Sequence, residues 1–343
     1  MNHNEITMLP VPPFFDPRKA REVWRVPYQQ RAIEATEHAR KYNITPSSED
    51  SEKICLLLID PQNTFCLPDF ELFVGGRSGT GAIEDTIRIC EFIYHHLDRV
   101  TRIAVTLDTH GAMQIFHPIF WIDADGEHPN PMTLITTEDV ETGKWRVNPA
   151  VMDALGIQDY RTLQDYARHY TRELEKTGKY LLTVWPYHSM LGGIGHAVVS
   201  SIEEAIFFHS IARQSQPLFE LKGGNPLTEN YSVLRPEVLE NERGEAIARE
   251  NLPFLQQLLA FDKIIIAGQA KSHCVAWSIE DLWKQSTAHE PEFVKKIVLL
   301  EDCSSPVVVP GVIDFTEAAE AAYRRFADAG MRVVKSTDLD RSL

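Results

Sequence analysis

Four apolar segments of this 343-residue chain end in, or lead to, a side chain that can do chemistry. The run ICLLLID ends at Asp60, RIAVTLD at Asp108 and PLFELK at Lys222, while IIIAGQA leads through KSH to Cys274. Each residue alone has an ordinary interpretation, because Asp forms turns, Lys is commonly solvated and a free Cys packs as a small hydrophobe. Four such residues at the ends of predicted strands favour a catalytic site.

Asp60, Lys222 and Cys274 have the chemistry that acyl transfer through a thioester requires. Cys274 lies at a predicted helix N-terminus, where the helix dipole and the free N–H groups favour a thiolate. A nearby Lys222 ammonium would favour it further. The Asp60 carboxylate can take the thiol proton and later give it to a leaving amine. Backbone N–H groups of the segment GQAKSHC can receive the oxyanion.

A second group of polar residues has the types that bind a metal ion. Asp108 and His110 occur in DTH, His117 follows shortly after, and His188 occurs in WPYHS. One carboxylate with two or three imidazoles suits zinc, iron or manganese, although Asp-x-His alone is a weak motif. His196 and His273 lie near these motifs without an assigned role. Six further histidines are interpreted as surface or packing residues: His95, His96, His128, His169, His209 and His289.

The order of the segments predicts the elements that position these residues. Continuous apolar strands alternate with helices, which is typical of a three-layer, doubly wound α/β domain with about six mainly parallel strands. In such sheets ligands bind beyond the carboxyl ends of the strands. We expect an N-terminal arm and linker over residues 1–52 and a hydrolase domain over 53–343. Residues 119–184 interrupt the alternation and are predicted to be an insertion near the site.

Composition excludes several classes of function. A formal net charge of -15 argues against a nucleic-acid partner. No apolar stretch approaches the ~20 residues that span a bilayer, and the first residues lack the pattern of a signal peptide. A cytoplasmic protein with no membrane partner is therefore expected. The five cysteines contain no Cys-x-x-Cys pair, which argues against a thiolate zinc site.

Five segments together resemble the nicotinamidase branch of the isochorismatase-like cysteine hydrolases: LLLIDPQNTFC, LDTH, WPYHSMLGGIG, LKGGNP and IIIAGQAKSHCV. The resemblance runs from about residue 53 to 336, with 119–184 as an exception. It implies the isochorismatase-like fold, with Asp60 as general base, Lys222 as the stabilising cation and Cys274 as nucleophile. It also implies a cis peptide at Gln269–Ala270, which would direct the N–H groups of Ala270 and Cys274 at the oxyanion.

The same resemblance implies a metal site and an aromatic pocket. Asp108, His110 and His188 match the metal ligands, zinc being favoured over iron or manganese, and His117 is a further candidate. Phe65 and Trp185 match aromatic walls around a pyridine ring, whereas each alone would be read as a core residue. Gln62, which braces the segment after Asp60 together with Asn63, is included as a substrate-binding residue.

The expected reaction is the hydrolysis of nicotinamide to nicotinate and ammonia, which belongs to NAD metabolism. A related amidase acting on another aromatic or heterocyclic amide is the first alternative, because SMLGG departs from the Cys-x-x-Gly-Thr usual after the motif histidine. A non-catalytic binding protein of the same fold is the second. A small-molecule amide and further copies of the chain are the expected partners, the arm being one segment that could form a homo-oligomer interface.

Overall fold

The computed structural model describes residues 8–288 and 290–339. Residues 1–7 of the predicted arm, His289 and residues 340–343 lie outside the described residues. The chain divides into two units. Unit 1 comprises the described parts of Met1–Leu107, Ala197–Glu220 and Leu252–Leu343, and unit 2 comprises Asp108–His196 and Leu221–Asn251.

A six-stranded sheet forms the centre of unit 1. Its strands are β1 Ile54–Ile59, β2 Arg102–Asp108, β3 Leu218–Lys222, β4 Lys263–Gly268, β5 Ile297–Leu300 and β6 Arg332–Val334. Their order in the sheet is β6-β5-β4-β1-β2-β3. The pairs β1–β2, β1–β4, β4–β5 and β5–β6 are parallel. The last residues of β2 and β3 are counted with unit 2.

Strand β1 is buried along its whole length, because both faces of the sheet are covered. Ile54, Leu56 and Leu58 pack in a core with residues of two helices, and the alternate residues of the strand are buried as well. This all-apolar pattern is the one that a parallel sheet produces. A mixed α/β structure with a six-stranded central sheet confirms the predicted fold class.

Six helices of at least eight residues lie in unit 1. They are α1 Tyr28–Tyr42, α2 Gly81–His95, α4 Ser200–Arg213, α5 Leu252–Leu259, α6 Ala276–Thr287 and α7 Thr316–Asp328. Helix α2 packs against α4, and α6 packs against α7, where Arg325 pairs with Glu280 at 2.9 Å. Shorter elements of this unit are Pro17–Arg21, Ser47–Glu49, Asn63–Cys66, Lys271–Val275, Pro291–Lys296 and the antiparallel pair Val308–Val309 with Ile313–Asp314.

The described part of the N-terminal arm packs on α2 and α4 of its own chain. Arg31 of α1 pairs with Glu204 of α4 at 2.6 Å, and the Phe14 ring lies 5.3 Å from the Phe208 ring. Ser200 exchanges hydrogen bonds with the backbone of Trp24. The described part of the arm therefore lies on the surface of its own chain.

Unit 2 contains the predicted insertion, residues 119–184. Its long helix α3, Tyr160–Thr177, starts at Asp159, whose side chain accepts a hydrogen bond from the Arg161 N–H, and ends at Gly178 in the left-handed conformation. The other elements are Pro118–Phe120, Thr137–Glu141, Pro149–Val151, Met152–Leu155 and the antiparallel pairs Trp121–Ile122 with Arg146–Val147 and Leu134–Ile135 with Leu182–Thr183. Among the described residues, no helix is both long enough and apolar enough to cross a membrane.

Candidate active site

Asp60 directly follows β1 and is held by Thr106 of the neighbouring strand. Its backbone has a φ of 44°, a left-handed conformation that Asp tolerates better than most residues. The Thr106 hydroxyl donates to Asp60 Oδ1 at 2.5 Å, and the Asp60 N–H donates to the Thr106 carbonyl at 3.2 Å. The side chain is fully buried. A carboxylate fixed in this way can exchange a proton with a group beside it without reorganising.

Cys274 lies in the Lys271–Val275 turn, immediately before α6. The turn closes on Ala270, whose carbonyl accepts hydrogen bonds from the N–H groups of His273 and Val275. The Gln269–Ala270 peptide is cis, as the resemblance implied. Cys274 is 9% exposed, so its thiol is screened from bulk water. The oxyanion role of the Ala270 and Cys274 N–H groups stays a prediction.

The strand order brings the segments of Asp60 and Cys274 to adjacent positions in unit 1. Chain order reverses between β1 and β4, which is the switch point where ligands bind in doubly wound sheets. The Gln269 N–H, just beyond β4, donates to the Ile59 carbonyl at 2.8 Å. Phe65 packs with Ala270 in a small buried cluster and is 8% exposed.

Three side chains of unit 2 form a buried group with the spacing of a metal site: Asp108, His110 and His188. The Nε2 atoms of His110 and His188 lie 2.7 and 3.3 Å from Asp108 Oδ2. One possible ligand atom from each residue lies within 4.8 Å of the others. The structure therefore brings together the three candidate ligands that the sequence predicted.

Backbone carbonyls orient both imidazoles. His110 Nδ1 lies 3.1 Å from the Gly223 carbonyl, and His188 Nδ1 lies 2.8 Å from the Pro186 carbonyl. With Nδ1 directed at a carbonyl, Nε2 is in each ring the nitrogen that faces Asp108 and that could bind a metal ion once it is deprotonated. Gly223 is required here, because a Cβ at this position would lie 2.6 Å from His110 Cε1. This donor set fits a transition metal ion.

His117 is close to this group but is not one of its three members. Its ring centre lies 5.9 Å from those of His110 and His188. Nδ1 donates to the Ala112 carbonyl at 3.1 Å, and the buried Nε2 has no hydrogen-bond partner among the described residues. Burial, followed by the charges of His188 and His110, lowers the pKa of His117 to about 3, so its imidazole is neutral near neutral pH. Ligation by His117 stays a prediction.

Lys222 ends β3 and is tied to the same carboxylate. Its ammonium donates to Asp108 Oδ1 at 2.8 Å and to the Asn230 carbonyl at 2.9 Å. Burial would raise the pKa of Asp108, but His110 and Lys222 outweigh it and hold that pKa well below its usual range. Asp108 thus stays ionised, with Oδ1 on Lys222 and Oδ2 facing the imidazoles. The action of Lys222 on Cys274 remains a prediction.

The remaining predicted residues are also buried. Trp185, 5% exposed, donates through Nε1 to the Tyr231 hydroxyl at 3.3 Å. The Gln62 N–H donates to the Asp60 carbonyl at 2.8 Å, so its backbone braces the turn as expected. Substrate contacts by Phe65, Trp185 and Gln62 remain predictions.

Sequence reasoning missed several partners in both units. Thr106 holds Asp60, the Thr109 hydroxyl lies 2.8 Å from Nε2 of the previously unassigned His196, and Tyr231 holds Trp185. His273 is buried, with Nδ1 2.8 Å from the Ser272 hydroxyl. Only Thr106 carried a usable signal, because it is a polar residue inside an apolar strand.

Solved structures provide the comparison that identifies the fold. The yeast nicotinamidase bound to the inhibitor nicotinaldehyde matches 82% of this chain and 99% of its own, with 17% identity and a TM-score of 0.51. The chain has the isochorismatase-like fold. The resemblance seen in the sequence is thereby confirmed at the level of the fold.

Other solved structures resemble the chain less well in three dimensions. A nicotinamidase pyrazinamidase from Acinetobacter baumanii matches 85% of this chain and all of its own, with 17% identity and a TM-score of 0.49. A Pyrococcus horikoshii pyrazinamidase in complex with zinc matches 82% of this chain and 99% of its own, with 16% identity and a TM-score of 0.43. No protein-family model and no curated protein matches the sequence. Identities this low establish the isochorismatase-like fold alone, so activity must be argued from the site.

Proposed function

We propose that this chain is a cysteine amidohydrolase that converts nicotinamide and water to nicotinate and ammonia. The observation that carries the proposal is the buried group of Asp108, His110 and His188, in which both imidazoles are oriented with Nε2 toward Asp108. A cysteine hydrolase needs no such group to cleave an amide, whereas a pyridine ring offers a nitrogen that a metal ion can bind. The group therefore favours a substrate whose aromatic ring contains a nitrogen atom.

Asp108, His110 and His188 would hold the ion, with zinc the first choice and iron or manganese the alternatives. His117 is the candidate for a fourth position, since its buried Nε2 lacks a partner among the described residues. When bound, the ion would hold the ring nitrogen, directly or through water. Phe65 and Trp185 would stack on the ring faces, as expected of aromatic residues that line a ligand pocket.

Acylation begins when Asp60 takes the thiol proton of Cys274. The sulfur attacks the carboxamide carbon, and the N–H groups of Ala270 and Cys274 stabilise the oxyanion. Asp60 then returns the proton to the amide nitrogen, the C–N bond breaks, and ammonia leaves a thioester on Cys274. The Lys222 ammonium stabilises the thiolate and the negative charge that develops.

Deacylation repeats the same steps with water as the nucleophile. Asp60 takes a proton from the water, the hydroxide oxygen attacks the thioester carbon, and the C–S bond breaks to give nicotinate. The proton on Asp60 returns to the sulfur, so the enzyme regains its starting state. The burial of Asp60 and Cys274 limits other water from reaching the thioester.

A related amidase for another aromatic or heterocyclic amide is the second candidate. Ser189, which follows the ligand His188, is the observation that favours it. Its backbone has a φ of 48°, and it stands where the sequence departs from the pattern usual for nicotinamidases. A panel of benzamide, pyrazinamide and nicotinamide separates the two, because only the last two contain a ring nitrogen that a metal ion can bind.

The test of the proposal is ammonia release from nicotinamide by the zinc-loaded protein and by Cys274→Ala. We expect release by the wild type, and loss of at least about a thousandfold in the variant, since removal of a nucleophile abolishes covalent catalysis. Cys90→Ala is the matched control, because Cys90 is a fully buried thiol of α2 whose pKa is raised well above its usual value by burial. No release by the wild type would refute the nicotinamidase, and equal release by Cys274→Ala would refute the thioester.

A further inference from the structure

The insertion contributes one long helix to unit 2, and its buried face carries two tyrosines one turn apart. Tyr166 and Tyr170 of α3 are 4% and 0% exposed. Both hydroxyls reach residues 223–239, which follow β3 and are called the 223–239 loop below. A side chain that is buried and still hydrogen-bonded at its polar end fixes both its own helix and its partner.

Three polar contacts join the insertion to this loop. The Tyr166 hydroxyl donates to the Leu227 carbonyl at 2.8 Å. The Glu229 N–H donates to the Tyr170 hydroxyl at 3.1 Å. The third contact is an ion pair between Lys179 and Glu237, at 3.1 Å. The loop thus has a contact with the insertion near its start, its middle and its end.

The middle of the loop holds the hydrogen-bond partners of two residues to which the proposed reaction assigns roles, Lys222 and Trp185. The Asn230 carbonyl accepts a hydrogen bond from the Lys222 ammonium at 2.9 Å. The Tyr231 hydroxyl accepts one from Trp185 Nε1 at 3.3 Å. Asn230 and Tyr231 directly follow Glu229, whose N–H is bound by Tyr170. A shift of this backbone segment would therefore move the partners of Lys222 and Trp185 together.

The Glu229 side chain adds a second connection. It is buried and makes hydrogen bonds with the side chains of Tyr231 and Trp185. Burial, with the nearby Glu237 carboxylate, raises the pKa of Glu229 well above its usual value and so favours the neutral carboxylic acid. A neutral acid can donate one hydrogen bond and accept others, which suits a position between a hydroxyl and an indole N–H.

We propose that helix α3 supports the 223–239 loop, and that Tyr166, Tyr170 and Glu229 are positioning residues for Lys222 and Trp185. The insertion would then act through the backbone of this loop rather than by touching substrate. This inference rests on the proposed function for the roles of Lys222 and Trp185. The contacts themselves are independent of it.

Tyr170→Phe and Tyr166→Phe remove the two hydroxyls and keep the buried rings. The matched control is Tyr160→Phe, which removes another α3 hydroxyl, one bonded to the Val147 carbonyl at 2.9 Å and not to the loop. We expect backbone amide exchange across residues 223–239 to accelerate about five- to tenfold in the first two variants and not in the control. Lys179→Met is an additional variant that should accelerate exchange near Glu237.

Kinetics with nicotinamide provide the second readout. We expect Tyr170→Phe to lower kcat, because the Asn230 carbonyl no longer holds Lys222 in a fixed position. We expect the same variant to raise KM, because the Tyr231 hydroxyl no longer holds Trp185 in a fixed position. Glu229→Gln, which keeps an amide able to donate and accept, should retain most of the activity that Glu229→Leu loses. Tyr160→Phe should match the wild type in both constants.

The outcomes separate this inference from the proposed function. Unchanged exchange in the 223–239 loop of Tyr166→Phe and Tyr170→Phe overturns the support by α3, whatever the activity. Faster exchange with unchanged kcat and KM overturns the positioning role. Faster exchange in a protein that never releases ammonia supports the contacts and refutes the nicotinamidase.

Discussion

At the residue scale, the proposed chemistry depends on carboxylates whose protonation is set by their neighbours. Asp60 accepts a hydrogen bond from Thr106, and Asp108 is held between Lys222 and two imidazoles. The two groups have different tasks, because a general base must gain and lose a proton while a metal ligand must stay ionised. The hydroxyl of Thr106 fixes the Asp60 carboxylate through Oδ1.

Thr106→Val tests this interpretation of Asp60. The substitution keeps the shape of the side chain and removes the hydroxyl that donates at 2.5 Å. We expect kcat for nicotinamide to fall about tenfold to a hundredfold, because a hydrogen bond to a charged group contributes about 1.5–3 kcal/mol. The control is Thr171→Val in α3, whose hydroxyl donates only to the Arg168 carbonyl of its own helix. Equal kcat in Thr106→Val and the wild type would show that this hydrogen bond does not contribute to the action of Asp60 as general base.

Short motifs were enough to predict the candidate ligands, but they did not predict the residues that hydrogen-bond to the site. DTH and WPYH placed Asp108, His110 and His188 together because each motif lies beside an element end. The partners Thr106 and Tyr231 escaped notice, since a hydrogen bond between residues 46 positions apart leaves no local pattern. Whether His117 binds the metal depends on a few ångströms of ring placement, which spacing along the chain does not determine.

At the element scale, strands β1, β2, β4 and β5 were predictable because each is a nearly continuous apolar run. Burial on both faces removes the usual alternation and leaves length and β-branched composition as the signal. The close approach of β4 to β1 was not predictable. Gly268 has a φ of 115°, and a Cβ there would lie 2.1 Å from the Ile59 carbonyl oxygen, so the start of the Cys274 segment requires glycine.

The insertion shows where sequence patterns carry less information. Its strands are two residues long, too short for any periodicity to appear. Their paired residues lie 24 or 26 positions apart in one pair of strands and 47 or 49 positions apart in the other. The sequence of helix α3 does not reveal the partners of its buried face. The role of the buried tyrosine hydroxyls can be inferred only from the folded chain, in which they contact the 223–239 loop.

At the scale of the whole molecule, buried neutral histidines link stability to pH. His209 of α4 is 1% exposed, with Nε2 2.8 Å from the Val100 carbonyl. Burial lowers its pKa from 6.5 to about 4, although the Val100 carbonyl opposes the change. The unfolded chain therefore binds a proton at His209 before the folded chain does, so stability is lost as pH falls from 6.5 and the loss is complete below about 4.

His209→Gln measures this contribution, because glutamine can still donate to the Val100 carbonyl and does not titrate. The interval between the two pKa values corresponds to about 3 kcal/mol at most. We expect the free energy of unfolding of the wild type to fall relative to that of His209→Gln as pH is lowered from 6.5 toward 4 in urea titrations. Parallel curves for the two proteins over this range would contradict the assignment of a neutral, buried imidazole.

The central claim is that one nicotinamide molecule is bound by the metal group through its ring and presented to Cys274 through its carboxamide. The most direct measurement is a crystal structure of Cys274→Ala soaked with zinc and nicotinamide, with anomalous data collected at the zinc edge. We predict a zinc ion held by Asp108, His110 and His188, with the ring nitrogen on its side and the carboxamide carbon beside position 274. Zinc bound elsewhere, or nicotinamide bound away from position 274, would contradict the account.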